Sequence, residues 1–204
     1  MGAGRTERFA PAASLVNVRA GASTGTRLVE RAQHGDRDAF EALAVEAVDR
    51  LFSAAILILG DRSMAEDAVQ EALLRAWRGL PKLRDRECWN AWLHRVLLNA
   101  CMDTAKGVRL PAIELEPWYS VDEHGPFETE VDARDEVSRA LGRLSPRQRA
   151  VLVLRYFLGL SVPEVAEALG VPLGTAKSRL HHALDAMRAE VEADRRVAIQ
   201  GGVA

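Results

Sequence analysis

The sequence predicts an all-α protein made of two small helical domains, and three observations carry that prediction. Apolar residues recur at three- and four-residue spacings through most of 27–106 and 133–196, the period of a helix buried along one face. No stretch of useful length alternates apolar and polar residues as a half-buried strand does. The two periodic blocks are separated by an acidic linker over 107–132. From 111 onward it holds three prolines, one glycine and clustered carboxylates, too little apolar surface to fold alone.

The elements follow in order. Residues 1–26 are rich in Gly, Ala, Ser and Thr and read as a mobile tail. An opening helix contains Asp36-Arg37-Asp38-Ala39-Phe40, and a long apolar helix follows through Leu51 to Leu59, stopped at Gly60-Asp61. A third helix spans about Ser63 to Gly79, with Ser63 and Glu66 at the spacing of a capping box. Its inward stripe is Ala65, Val69, Ala72, Leu73, Ala76, Trp77 and Leu80. Pro81 to Arg86 is a loop. A fourth helix, about Cys88 to Ala105, turns Trp89, Trp92, Leu93, Val96, Leu97 and Ala100 inward. Trp118, Tyr119 and Phe127 are aromatic exceptions in the linker and candidate anchors.

In the second block, Ser145-Pro146-Arg147-Gln148 is a capping box opening a helix through Phe157. Leu160 to Met187 then reads as two short helices joined by a tight turn. Ser161 and Glu164 cap the first, Val162, Val165, Ala166 and Leu169 give it an apolar face, and Gly170 stops it. The second starts near Pro172 and buries Ala176, Leu180, Ala183, Leu184 and Met187. Thr175, Ser178 and His182 are left facing outward, flanked by Lys177 and Arg179. Those residue types bond phosphates and base edges, as a recognition helix in a major groove must. Residues 197–204 form a C-terminal tail.

Two polar edges stand out in the first block. Asp67, Glu71, Arg75 and Arg78 recur at four, four and three along the third helix, with Gln70 beside them: a solvated face or a docking face for a protein. Arg95, Asn99, Asp103 and Lys106 share an edge of the fourth helix next to a tryptophan-rich loop, as a single-strand binding surface requires.

Net charge is only −2, but it is segregated. Residues 27–110 balance 13 bases against 13 acids, 111–136 set nine acids against one arginine, and 137–196 set ten bases against six acids. No apolar run approaches the roughly 18 residues of a membrane span, and the N-terminus has no export signal. Cys88 and Cys101 lack CxxC spacing and suit a reducing cytoplasm. The histidines are scattered and give no metal-ligand or triad spacing, so no metal, cofactor or small-molecule substrate is expected and the chain reads as a non-enzyme.

Four stretches together resemble the extracytoplasmic-function branch of the sigma-70 family, the promoter-recognition subunits of bacterial RNA polymerase. They are GDRDAFEAL at 35–43, AEDAVQEALLRAW at 65–77, WLHRVLLNACMD at 92–103, and the run from Leu144 to Arg188. The resemblance implies a region 2 domain over 27–106 and a region 4 domain over 133–196. It implies that Asp67, Gln70, Glu71, Arg75 and Trp77 dock on core polymerase. It places Trp89, Arg95, Asn99, Asp103 and Lys106 at the −10 element, where a flipped base is captured by the loop from Leu83 to Trp89. Thr175, Lys177, Ser178, Arg179 and His182 fall at the −35 element. An anti-sigma factor is an implied partner, and no membrane insertion is expected.

The sequence departs from the family pattern where several basic residues often follow the Asn of the fourth helix; here the run is Ala100-Cys101-Met102-Asp103-Thr104-Ala105-Lys106. A competing expectation is an operator-binding helix-turn-helix regulator with an N-terminal sensing or dimerisation block. It predicts specific duplex binding by the chain alone.

Overall fold

The structure, a computed structural model, describes residues 25–106 and 128–201, with side chains described for 25–106 and 136–196. Among these residues every regular element is helical. Helix α1 covers 25–33, α2 runs Arg37–Leu59, α3 Arg62–Gly79 and α4 Trp89–Lys106, with a 3₁₀ turn at Leu80–Lys82. After the linker come α5 (Glu128–Arg143), α6 (Pro146–Leu152), a π turn at Val153–Phe157, α7 (Val162–Leu169) and α8 (Leu173–Gly201).

Local chemistry explains most boundaries. Asp36 caps α2 by accepting from Ala39 N–H at 3.0 Å, and Gly60 closes it at φ 74°, a left-handed conformation that costs glycine nothing. Both capping boxes of the second block are formed: Ser145 with Gln148 opens α6, and Ser161 with Glu164 opens α7. Gly170 ends α7 at φ 64°.

Five expectations are corrected. The opening helix expected at Asp36–Phe40 and the long apolar helix expected after it are one element, Arg37–Leu59, with Asp36 as its N-cap. The α3 cap is Asp61, whose carboxylate accepts from Met64 N–H at 2.8 Å; Glu66 pairs with Arg62 instead of reaching back to Ser63. Helix α5 begins at Glu128, inside the segment read as linker, and α8 continues to Gly201, inside the expected C-terminal tail. The helix expected to run unbroken to Phe157 gives way to the π turn after Leu152. Trp118, Tyr119 and Phe127 lie outside the described residues.

The core is dense with fully buried aliphatic side chains, among them Leu51, Ile58, Leu59, Leu80, Leu93 and Leu97. Each contributes about 1.5–3 kcal/mol by leaving water. This core is not confined to the first block. Ala150, Val153, Leu154, Leu158, Leu160, Val165 and Ala168 join the same apolar cluster, because α6 packs on α2 and α7 packs on α4. Leu98, off the predicted inward stripe of α4, is accordingly buried in it. A second, smaller cluster of Leu141, Leu144, Leu152 and Ala183 binds α5 and α6 to α8. Ion pairs Arg195–Glu136 at 2.7 Å and Arg143–Asp194 tie α5 to the far end of α8.

Candidate functional site

Helix α3 presents its polar edge as expected. Asp67 and Gln70 are exposed, Glu71 and Arg75 partly so. Trp77 is half-buried, its ring edge-on to Phe40 at 5.0 Å, so it belongs to the packing under this face. Leu74 was not singled out in the sequence, yet it is 50% exposed within this polar edge. A leucine off the inward stripe was the available signal.

The edges of α3 and α4 meet. Arg75 donates through Nε to Glu71 at 2.7 Å and through Nη1 to Asp103 at 2.8 Å, and Lys106 reaches the other oxygen of Asp103 at 2.9 Å. Lys106 and Arg75 hold the Asp103 carboxyl below its ordinary range, and Glu71 and Asp103 raise the Arg75 guanidinium. Asp103 is therefore a charge-compensated acid, suited to lie near a phosphate backbone that would repel a bare one. Arg95 and Asn99 stand exposed further back along α4.

Trp89 does not join this edge. It is 6% exposed, packed edge-on against Phe40 at 6.3 Å and tilted on Trp92 at 5.6 Å, because the first turn of α4 points into the bundle. The loop before it is held by Gln33, a residue that sequence reasoning passed over. Its amide donates to the carbonyls of Leu80 at 3.2 Å and Leu83 at 2.7 Å, while its oxygen accepts from Arg86 Nε at 2.8 Å. Arg86 also pairs with Glu30 at 3.1 Å.

On α8, Lys177, Ser178, Arg179 and His182 are exposed and Thr175 is partly so, one helix face as predicted. Ser178 Oγ donates to the Thr175 carbonyl at 3.0 Å, and neighbouring His181 lies 3.2 Å from Asp185. Of the residues set aside as non-catalytic, His94 is half-buried, and its partial loss of solvent pulls its pKa down to about 4, while burial pushes the Cys101 thiol up to about 12. Among the described residues no three His, Cys, Asp or Glu side chains are grouped to hold a metal ion, and no helix is long and apolar enough to cross a membrane.

Two helical groups, one with a long polar edge and one with a helix-turn-helix, define the architecture of a promoter-recognition subunit. Residues 43–109 match the family "Sigma-70 region 2" and residues 134–187 match "Sigma-70, region 4". The chain is 37% identical over 146 residues to the "ECF RNA polymerase sigma factor SigM" of Mycobacterium tuberculosis, covering 71% of this chain and 73% of that one. It is 26% identical to "ECF RNA polymerase sigma factor SigW" of Bacillus subtilis, over 80% of this chain and 94% of that one. Among solved structures it is similar to CnrH in complex with the cytosolic domain of CnrY. The TM-score is 0.62 at 26% identity, over 84% of this chain and 99% of that one.

The chain belongs to the extracytoplasmic-function branch of the sigma-70 family. It is an RNA polymerase sigma factor of the kind that directs promoter-specific initiation, in a family of non-enzymatic initiation factors. The operator-binding alternative gains no support, since both matched regions are those of sigma factors.

Proposed function

We propose that the outer edge of α3, with Asp67, Gln70, Glu71 and Arg75 around Leu74, docks on core polymerase. Arg95, Asn99, Asp103 and Lys106, with the Leu83–Trp89 loop, then hold the unpaired −10 strand. Trp77 and Trp89 serve these surfaces from beneath, as packing that sets the edge and the loop, and touch neither partner. Thr175, Lys177, Ser178, Arg179 and His182 read the −35 duplex. These assignments divide the chain into a region 2 domain at 27–106 and a region 4 domain at 133–196, working in the cytoplasm beside the polymerase.

The observation that carries this reading is the Arg75–Asp103 contact at 2.8 Å. It makes the α3 and α4 edges one continuous polar surface, so a chain seated on the polymerase through α3 presents α4 directly to the strand leaving the duplex. Pull-down with core polymerase followed by run-off transcription tests it. Arg179→Ala lowers promoter-specific transcription at least about fivefold while core binding holds, since one good base contact is worth about 1–3 kcal/mol. Equal loss of both would remove α8 from the promoter.

An anti-sigma protein is also inferred as a partner. Support comes from a solved chain of this fold, RpoE of Bartonella quintana, in complex with the anti-sigma factor NepR; the similar chain CnrH is likewise held by another protein, the cytosolic domain of CnrY.

A further inference from the structure

We propose that Gln33 of α1 is a positioning residue for strand capture, an inference that rests on the −10 role given to the Leu83–Trp89 loop. The loop leaves α3 through the 3₁₀ turn and enters α4, and its outward residues Arg84, Asp85 and Glu87 are exposed. A loop this polar has little apolar surface to fix it: Leu83 is partly buried at its start and Trp89 buried at its end, with no buried side chain between them. Gln33 supplies the missing constraint. Its two amide hydrogens are used on the Leu80 and Leu83 carbonyls, and its oxygen is used on Arg86, which Glu30 holds from the same helix. All three ends of one side chain are thus committed to the loop and the 3₁₀ turn that leads into it. The amide is only half-buried, so the arrangement is not the forced pairing of a core polar group. It sets the shape of a surface that must accept an unstacked base, where a misplacement of an ångström costs hydrogen bonds.

The test uses full-length protein in holoenzyme. Core affinity, closed-complex formation on duplex promoter and strand opening (2-aminopurine fluorescence within the −10 element) are measured for wild type, Gln33→Ala and Gln33→Glu. Gln33→Ala lowers opening about tenfold and leaves the first two within twofold. Gln33→Glu lowers it further, because a carboxylate faces two carbonyl oxygens. Loss of core binding in the wild-type chain would overturn the functional reading itself. Normal opening in both variants, or equal loss of all three readouts, overturns the positioning role.

A separate observation points to Arg149 as the residue that keeps the two halves poised to separate. In the shared core, α4 packs on α7 and α7 on α8. Neighbouring helix axes lie about 8–10 Å apart, which puts the α4 and α8 reading edges on the order of 20–30 Å from each other. Elements about 25 base pairs apart are separated by roughly 85 Å at about 3.4 Å per pair. The closed arrangement therefore cannot read both at once. Each half sends an arginine to the carbonyl end of a helix in the other. Arg50 donates from the rim to the Phe157 and Leu158 carbonyls at 3.3 and 3.2 Å. Arg149 is 1% exposed and reaches only the Leu59 carbonyl, at 3.4 Å, leaving Nε and Nη1 without a partner. A buried cation with two orphan donors opposes closure, and replacing it by an apolar side chain of similar length is the change that favours it.

Spin labels at exposed Glu41 and Ala189, in a Cys88→Ser background, report the distance between halves in buffer and in sub-denaturing urea. Arg149→Met reduces the extended population about tenfold, Arg149→Lys keeps it near wild type, and Arg50→Ala increases it. An Arg149→Met chain as extended as wild type or more so overturns the inference. So does an Arg50→Ala chain that stays closed, a variant whose change at the rim leaves the core intact. Neither readout requires polymerase, so a chain that fails to bind core leaves this result standing.

Discussion

Reversing one charge on α3 separates docking from stability. Glu71 accepts from Arg75 Nε at 2.7 Å, with the two side chains 44% and 36% exposed. An i,i+4 pair this open to solvent contributes about 0.3–0.5 kcal/mol, and a like pair costs a similar amount. Glu71→Lys therefore costs the fold about 1 kcal/mol or less, the more so because Arg75 keeps Asp103 at 2.8 Å. Against a polymerase surface complementary to the α3 edge, the same reversal sets like charges together at an interface. That costs several kcal/mol, and taking about 2.7 kcal/mol gives a hundredfold weaker Kd. Titration of fluorescent chain with core polymerase measures Kd, and thermal melting measures the fold. Asp103→Asn is the companion: it frees Arg75 of its other carboxylate without altering the α3 edge, and its Kd for core stays within about threefold. The reasoning fails if Glu71→Lys binds core within threefold of wild type, or if its melting temperature falls by more than about 8 °C.

Two further outcomes concern the helix-turn-helix. Ser161→Ala removes one arm of the α7 capping box and costs about 1 kcal/mol near neutral pH, read as a shift in urea midpoint at constant slope. Bonds from the Ser161 hydroxyl and N–H hold the Glu164 carboxyl below its ordinary value of 4.5. Its contribution is complete above that value and disappears as pH falls through the lowered one, so the gap between Ser161→Ala and wild type narrows on acidification; a constant gap from pH 7 to pH 3 would rule out the box. Gly170→Ala costs about 1–2 kcal/mol through backbone strain at φ 64°, since an added Cβ meets nothing within 4 Å, and Gly170→Asn recovers part of it. An alanine variant as stable as wild type would contradict that conformation.

What was legible in the sequence was whatever is local. The Ser145–Gln148 and Ser161–Glu164 boxes, the Gly60 and Gly170 stops, and the inward faces of α3, α7 and α8 depend on neighbours within a turn or two. The failures share a cause. Ser63 and Asp61 are both good caps, and only the first helical hydrogen bond, Ala65 N–H to Asp61, decides between them. Counting at 3.6 residues assigns α4 a single buried stripe, whereas Leu98 is buried and His94 half-buried on a second one because α7 lies there. Nothing local in LSPRQRAVL marks Arg149 for burial, which follows from the end of α2, ninety residues away. Trp89, given to the −10 element by the resemblance, packs inward as its spacing on α4 predicts, its first-turn position pointing it at Phe40. Gln33 carried no signal, since its partners are backbone carbonyls that any sequence would offer.

The charge on the proposed reading face of α8 bears on how the chain finds a promoter. Its assigned residues include two fixed cations, Lys177 and Arg179; the next arginine along the helix, Arg188, is 3.0 Å from Asp185 and spends part of its charge there. Binding that neutralises about two phosphates falls with salt at a log–log slope near −2, against about −5 to −9 for proteins making 6–10 such contacts. So few contacts give the free chain weak duplex affinity, and specific binding has to arise from the polymerase, which fixes α8 over one site and supplies the remaining phosphate contacts. Holoenzyme should then show a slope several units steeper than the chain alone on the same −35 duplex, measured by anisotropy between 50 and 200 mM salt. A free chain with nanomolar affinity and a slope steeper than −5 would mean that α8 does not bind as this surface dictates. The second half would then be an autonomous operator reader whatever its ancestry.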